Sequence, residues 1–205
     1  MKKIILLLFV MILGMGANAQ LTAKQVFSKA NTALDLSKGI QGNAKIKMMG
    51  VGGPITFETD GNNNFRIYDD GDIYYINQGV SYEYDSAKNT ITLEDGELTY
   101  VTIFPYQFVK SLETGKLKWG DFKNVEMERK DSDYVITMKH DSGKYAFTID
   151  GKSFLIKEAK IKKGLVTLMS VTYTNLSQYK GTHSVIFDKS KYPNAKIIDK
   201  RKKKS

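Results

Sequence analysis

Residues 65–85 read Phe65-Arg66-Ile67-Tyr68-Asp69-Asp70-Gly71-Asp72-Ile73-Tyr74-Tyr75-Ile76-Asn77-Gln78-Gly79-Val80-Ser81-Tyr82-Glu83-Tyr84-Asp85. Phe65 and Ile67 alternate with Arg66 and Tyr68, and Val80, Tyr82 and Tyr84 alternate with Ser81, Glu83 and Asp85. A period of two marks a strand with one face buried. Asp70-Gly71 and Asn77–Gly79 interrupt the pattern with residues suited to tight turns. The stretch therefore predicts consecutive antiparallel strands joined by hairpins.

The same habit extends in both directions. Upstream, Ile55 and Phe57 alternate with Thr56 and Glu58; downstream, Ile91 and Leu93 alternate with Thr90 and Thr92. The second half repeats it in Tyr134-Ile136-Met138, Tyr145-Phe147-Ile149 and Leu165-Thr167-Met169-Val171-Tyr173. Turn signals at Gly50–Gly53, Asp60-Gly61, Asp95-Gly96, Asp150-Gly151 and Lys163-Gly164 separate these runs. Short strands at roughly ten-residue spacing predict a mainly β chain with an antiparallel meander, hence a sandwich or barrel.

Two segments depart from the meander. Thr22 and Gln25 form a T-x-x-Q capping box with Leu21 and Val26 placed as a hydrophobic staple. Val26, Phe27, Ala30, Ala33 and Leu34 follow at helical spacing, which predicts a helix ending near Asp35–Gly39. Between Glu97 and Leu112 the residues Tyr100, Phe104, Pro105, Tyr106, Phe108, Val109 and Leu112 are spaced more like helix than strand. This second segment is too apolar for an exposed loop, so it is expected to plug or cover the sheet.

The N-terminus has Lys2 and Lys3, an apolar run from Ile4 to Leu13, and Ala17-Asn18-Ala19. That succession reads as a signal peptide cleaved after Ala19; a spanning helix would need roughly 20 apolar residues. Removing nineteen of 205 residues leaves 186, read as one domain over residues 20–199 with a basic tail at 200–205. The formal charge of +9 becomes +7 without Lys2 and Lys3, and the run Lys200-Arg201-Lys202-Lys203-Lys204 supplies five of those charges. The body is nearly balanced, so a diffuse nucleic-acid face is not indicated. The tail solubilises a frayed end or gives transient, salt-sensitive contact with an anionic membrane surface.

Chemistry is sparse. With no cysteine, the chain has no disulfide, thiolate metal site, cysteine nucleophile or lipidated cysteine at Gln20. His140 and His183 lack metal-ligand neighbours at i+3 or i+4 and are expected to be solvated or satisfied. Asp69-Asp70-Gly71-Asp72 fails the EF-hand spacing and reads as a hairpin turn. No H-E-x-x-H, G-x-S-x-G or glycine-rich phosphate loop occurs. The expectation is a protein without catalytic residues, metal or cofactor. Many of the twelve tyrosines and ten phenylalanines fall on the apolar face of strands, which suits a β core and collectively a curved sheet around a covered hollow.

Helix, meander, Asn64-Phe65-Arg66-Ile67, Gly79 with Tyr82-Glu83-Tyr84-Asp85, Thr90-Ile91-Thr92-Leu93, Phe104–Phe108 and the ending Val185-Ile186-Phe187-Asp188 to Tyr192-Pro193-Asn194-Ala195-Lys196-Ile197-Ile198-Asp199 follow one another in an order that resembles the LolA family. Members of that family are periplasmic carriers of outer-membrane lipoproteins in Gram-negative bacteria. The resemblance spans Thr22 to Asp199. It implies an unclosed antiparallel β-barrel of about eleven strands, covered by the N-terminal helix and an internal helical lid at Phe104–Phe108. It further implies an apolar cavity for lipoprotein acyl chains, an inner-membrane lipoprotein-releasing transporter and an outer-membrane receptor as partners, and a monomer in the periplasm. Many members latch the lid with an arginine from an Arg-Pro turn; here that turn is Asp60-Gly61-Asn62-Asn63-Asn64, so the latch is left open.

On this reading the cavity is lined by Ile55, Phe57, Phe65, Ile67, Tyr82, Tyr84, Ile91, Leu93, Tyr145, Phe147 and Met169. The lid is Val26, Phe27, Ala30, Phe104, Tyr106 and Phe108. The alternative function is a LolA-like sensor or adaptor that detects lipid or lipoprotein and reports through a protein contact. An enzyme acting on phospholipid or glycan lacks a visible nucleophile and base. With Gln20 in place of a lipidated cysteine, the diffusing partner is expected rather than the tethered one.

Overall fold

The computed structural model describes residues 21–62, 64–95 and 100–201, with side chains from 105 onward in the second helix. The expected signal peptide, the Phe104 side chain and most of the basic tail lie outside the described residues.

The first helix, α1 (Ala23–Ala33), starts where the capping box places it. The Thr22 hydroxyl accepts the Gln25 N–H at 3.3 Å, and the Gln25 side chain accepts the Thr22 N–H at 2.8 Å. Both groups would otherwise be unpaired donors of the first turn. Past Ala33 the chain forms a short 3-10 turn over Leu36–Lys38, with Asp35 accepting the Ser37 N–H. Gly39 then turns the chain into the sheet at a φ of 75°. A Cβ there would collide with the Thr59 carbonyl, so both conformation and space require glycine. Gln178 fastens this corner, accepting the Asp35 N–H and donating to the carbonyls of Asp35 and Gly39.

Twelve strands form one sheet: β1 (Ile40–Met48), β2 (Pro54–Thr59), β3 (Phe65–Asp69), β4 (Asp72–Asn77), β5 (Val80–Asp85), β6 (Thr90–Asp95), β7 (Lys123–Lys130), β8 (Asp133–His140), β9 (Gly143–Ile149), β10 (Ile156–Lys163), β11 (Val166–Gln178) and β12 (Lys196–Asp199). Their spatial order is β12-β6-β5-β4-β3-β2-β1-β11-β10-β9-β8-β7. Two meanders, β1–β6 and β7–β11, thus join where β1 pairs with β11. All neighbours are antiparallel except β12, which lies parallel to β6. The count is one more than the family resemblance implied, because the C-terminal motif adds an edge strand. The two edges do not pair, so the barrel stays unclosed, as expected. One edge, β7, is studded with Lys123, Glu126, Glu128, Arg129 and Lys130, and the other, β12, has four residues; both devices discourage further strand pairing.

The apolar segment near residue 100 is a helix, α2 (Tyr100–Glu113), with Pro105 inside it. Proline lacks the N–H that would reach back to Val101, so one bond of the helical ladder is missing there while the helix runs on to Glu113. Both helices press on one face of the sheet. Val26, Phe27 and Ala30 of α1 and Tyr106, Phe108, Val109 and Leu112 of α2 are buried in the main core with Phe57, Ile136, Phe147 and Val171 of the strands.

Candidate functional site

Strand register decides which side chains share a face. Phe57 pairs with Ile67, Ile67 with Tyr74, Tyr74 with Glu83, and Glu83 with Thr92. On the far side of β1, Ala44 pairs with both Ile55 and Tyr173, while Val171 pairs with Ala159, and Ala159 with Phe147. All of these residues therefore lie on the face that the helices cover. Of the eleven expected lining residues, Ile55, Phe57, Phe65, Ile67, Tyr145, Phe147 and Met169 belong to it.

The other four do not. Arg66 pairs with Tyr75, Tyr75 with Tyr82, and Tyr82 with Leu93; Ile73 pairs with Tyr84, and Tyr84 with Ile91. Tyr82, Tyr84, Ile91 and Leu93 are consequently on the reverse face. Alternation in the sequence shows that one face of each strand is apolar but carries no mark of which face, and between β3 and β5 the apolar side changes.

An open hollow of about 390 Å³ lies on the helix-covered face, beyond the region the helices fill. Ile46, Met48, Ile55, Ile67 and Ile76 supply its apolar wall, Tyr74, Ser81 and Asp69 its polar side, and Val51, Gly52 and Gly53 its rim. Its size falls within the ~300–1,000 Å³ typical of small-molecule sites. Ile55 and Ile67 were expected there. Ile46, Met48 and Ile76 were missed, although Lys45-Ile46-Lys47-Met48 shows the same period of two. Tyr74 donates to Glu83 at 3.4 Å, and burial together with that carboxylate pushes its phenol up to about 12. The hollow thus offers hydrocarbon contact on one wall and hydrogen-bonding groups on the other.

The remaining lining candidates are committed to packing. Phe147 meets Phe27 edge-on at 5.1 Å and Phe108 at 5.1 Å; Tyr145 stacks on Phe108 at 5.1 Å. Val26, Phe27, Ala30, Tyr106 and Phe108, expected as a lid, are buried in one cluster with these strands. The Tyr106 hydroxyl, on α2, accepts the backbone N–H of Ile156 at 2.9 Å. Burial drives this phenol well above its ordinary pKa of 10.0, so it stays protonated. Ile156 sits beside an irregularity in the β9–β10 pairing, where its N–H needs a partner from outside the ladder.

The reverse face of β3–β6 has a cover of its own: the chain from Tyr179 to Ala195, which leads into β12. Phe187 stacks on Tyr82 at 4.3 Å and Tyr192 meets Tyr84 at 4.4 Å. Asn77 clamps this strap, donating to the Val185 carbonyl at 2.9 Å and accepting the Phe187 N–H at 2.8 Å. Nearby, the buried Glu58 receives Arg66 at 3.2 Å and the His183 ring nitrogen at 2.9 Å. His140 lies in a turn with Ser142 at 2.8 Å. Both histidines are therefore engaged, and Asp69–Asp72 is a hairpin turn with Asp70 and Gly71 at positive φ. Among the described residues, no three His, Asp or Glu side chains converge as a metal site.

No family model matches the sequence, and no curated protein sequence does. Among solved structures the chain is similar to an uncharacterised conserved protein from Thermus thermophilus, with a TM-score of 0.48 at 7% identity over 87% of this chain and 99% of that one. It is similar to a LolA superfamily protein from Nitrosomonas europaea, with a TM-score of 0.36 at 11% identity over 83% and 99%. An outer membrane lipoprotein-sorting domain from Vibrio parahaemolyticus gives 0.39 at 9% identity over 82% and 97%.

Proposed function

We propose that this chain is a periplasmic carrier that takes acyl chains of lipoproteins into the hollow beside β1 and β2 and moves them from the inner to the outer membrane. The observation that carries the reading is the hollow itself, walled by Ile46, Ile55, Ile67 and Ile76 in a sheet whose covered face is otherwise filled by helices. Acyl chains leave water with a gain of about 0.8 kcal/mol per CH₂, so even partial enclosure gives useful affinity. The polar side at Tyr74, Ser81 and Asp69 suits a cargo whose other end is peptide. On this reading residues 1–19 direct export and are removed, the releasing transporter loads the hollow, and the receptor empties it.

The test is uptake of a fluorescent acyl probe, dansyl-undecanoate, by the chain lacking residues 1–19. Ile67→Glu is expected to weaken binding at least tenfold, while Tyr82→Ala on the reverse face leaves it unchanged. A photo-crosslinker at Ile67 in cells should capture lipoprotein, and one at Tyr82 should not. Equal binding by the two variants would sink the carrier reading. Should depletion leave lipoproteins correctly sorted while envelope signalling changes, the sensor or adaptor reading takes its place.

A further inference from the structure

Two neighbouring hairpins end in apolar side chains that the fold does not require. In the β1–β2 connection, Met48 and Val51 exchange backbone hydrogen bonds at 2.8 and 3.0 Å around Met49-Gly50. Met49 has a φ of 50°, a conformation in which asparagine, aspartate or glycine is favoured, and its side chain is 74% exposed. Lys163 pairs with Val166 in the β10–β11 turn, so Gly164-Leu165 forms the loop, and Leu165 is fully exposed. The second position of such a turn ordinarily carries a polar residue. The two tips adjoin, because the Met49 N–H donates to the Leu168 carbonyl at 2.9 Å. With Val51 and Val166 also exposed, they form one apolar crown at the rim of the hollow.

Beside the crown, on the surface away from the helices, like charges face one another across strands. Lys162 pairs with Lys144, and Lys144 with Lys139. Directly opposed like charges destabilise a sheet, and these three lysines make no ion pair with another described residue. Neighbouring strands lie about 4.8 Å apart, so the row spans roughly 10 Å. Apolar residues at exposed tips, flanked by uncompensated lysines, match a surface with hydrocarbon beneath an anionic layer.

We propose that this rim docks the protein on an anionic phospholipid bilayer, with Met49 and Leu165 entering the headgroup boundary and the lysine row holding the phosphates. The rim is distinct from the basic C-terminal tail. The proposal deepens the carrier reading, because docking here brings the mouth of the hollow to the membrane. It stands or falls by a separate measurement, since vesicle binding needs no cargo.

The experiment is co-sedimentation of the chain lacking residues 1–19 with vesicles of phosphatidylcholine alone or with 30% phosphatidylglycerol. Binding is expected with the anionic vesicles and at least fivefold weaker with the neutral ones. Each lysine near an anionic surface is worth about a fivefold change in partition, so Lys144→Gln with Lys162→Gln should lower binding more than tenfold. The double variant Met49→Asp, Leu165→Asp should lower it at least tenfold with the circular dichroism and the dansyl-undecanoate affinity unchanged. A chain ending at Arg201 should keep most of its binding. Absence of binding, indifference to the tip substitutions, or loss on tail truncation alone would each overturn the proposal. Loss of acyl uptake with vesicle binding intact would instead remove the carrier function and leave the docking surface.

Discussion

The half of the sheet under the helices and the wing formed by β3–β6 are built from the same pattern of alternating aromatics, yet beyond Phe65 and Ile76, which still reach the main core, the wing buries its opposite face. Under the helices, Phe27 and Phe108 meet at Phe147 and bind two distant chain segments to the centre of the fold. On the wing, Tyr75, Tyr82 and Tyr84 turn away from the helices and are covered by the strap through Phe187 and Tyr192. The main core includes neither Tyr75 nor Ile91, although both are buried. The wing consequently shows its polar residues, Ser81 and Glu83, toward the side where the hollow opens. With Tyr82 and Tyr84 on the reverse face, β5 contributes only Ser81 to the lining of the hollow beside β1 and β2.

If the two regions are energetically separate, they should fail differently. Phe147→Ala is expected to cost about 3–5 kcal/mol, a large share of the roughly 5–15 kcal/mol that holds a domain together. Urea unfolding followed by tryptophan fluorescence should report it, since Trp119 lies 5.7 Å from Phe27. Phe187→Ala removes a half-buried ring and should cost about 2 kcal/mol, felt mainly by the strap. Hydrogen exchange should quicken over 185–199, with the urea midpoint moving much less than for Phe147→Ala. Equal global losses from the two variants would mean that the strap and main core form one cooperative unit.

How much of this was legible in the sequence depended on what each element needs from its residues. The start of α1 was readable because a capping box uses fixed offsets, and β8, β9 and most of β11 because apolar residues alternate without interruption. β10 was hidden, since Ile156, Ala159 and Ile161 fall out of step at the irregularity between Ile156 and Glu158. β7 was hidden for the opposite reason: an edge strand carrying only Met127 half-buried shows almost no apolar period. The wall of the hollow was half legible. Ile55 and Ile67 could be named from alternation, but assigning Tyr82 and Tyr84 required the cross-strand register, which no local pattern records. The Tyr106 latch was equally out of reach, because its partner is a backbone N–H fifty residues away.

That latch gives the smallest and most discriminating effect. Tyr106→Phe keeps the ring that packs near Tyr173, 6.0 Å between centroids, and removes only the hydroxyl oxygen. The Ile156 N–H is then left in a buried setting without its acceptor, at a cost of about 1–2 kcal/mol. Because the bond ties α2 to the start of β10, the loss should fall on the attachment of the helix rather than on the sheet. Exchange at the Ile156 amide should accelerate by about tenfold for each 1.4 kcal/mol lost, while β1–β5 amides keep their protection. If acyl uptake requires α2 to shift, dansyl-undecanoate should also enter the variant faster than the wild type, with little change in its final affinity. Unchanged entry would place the hollow outside the helix's control.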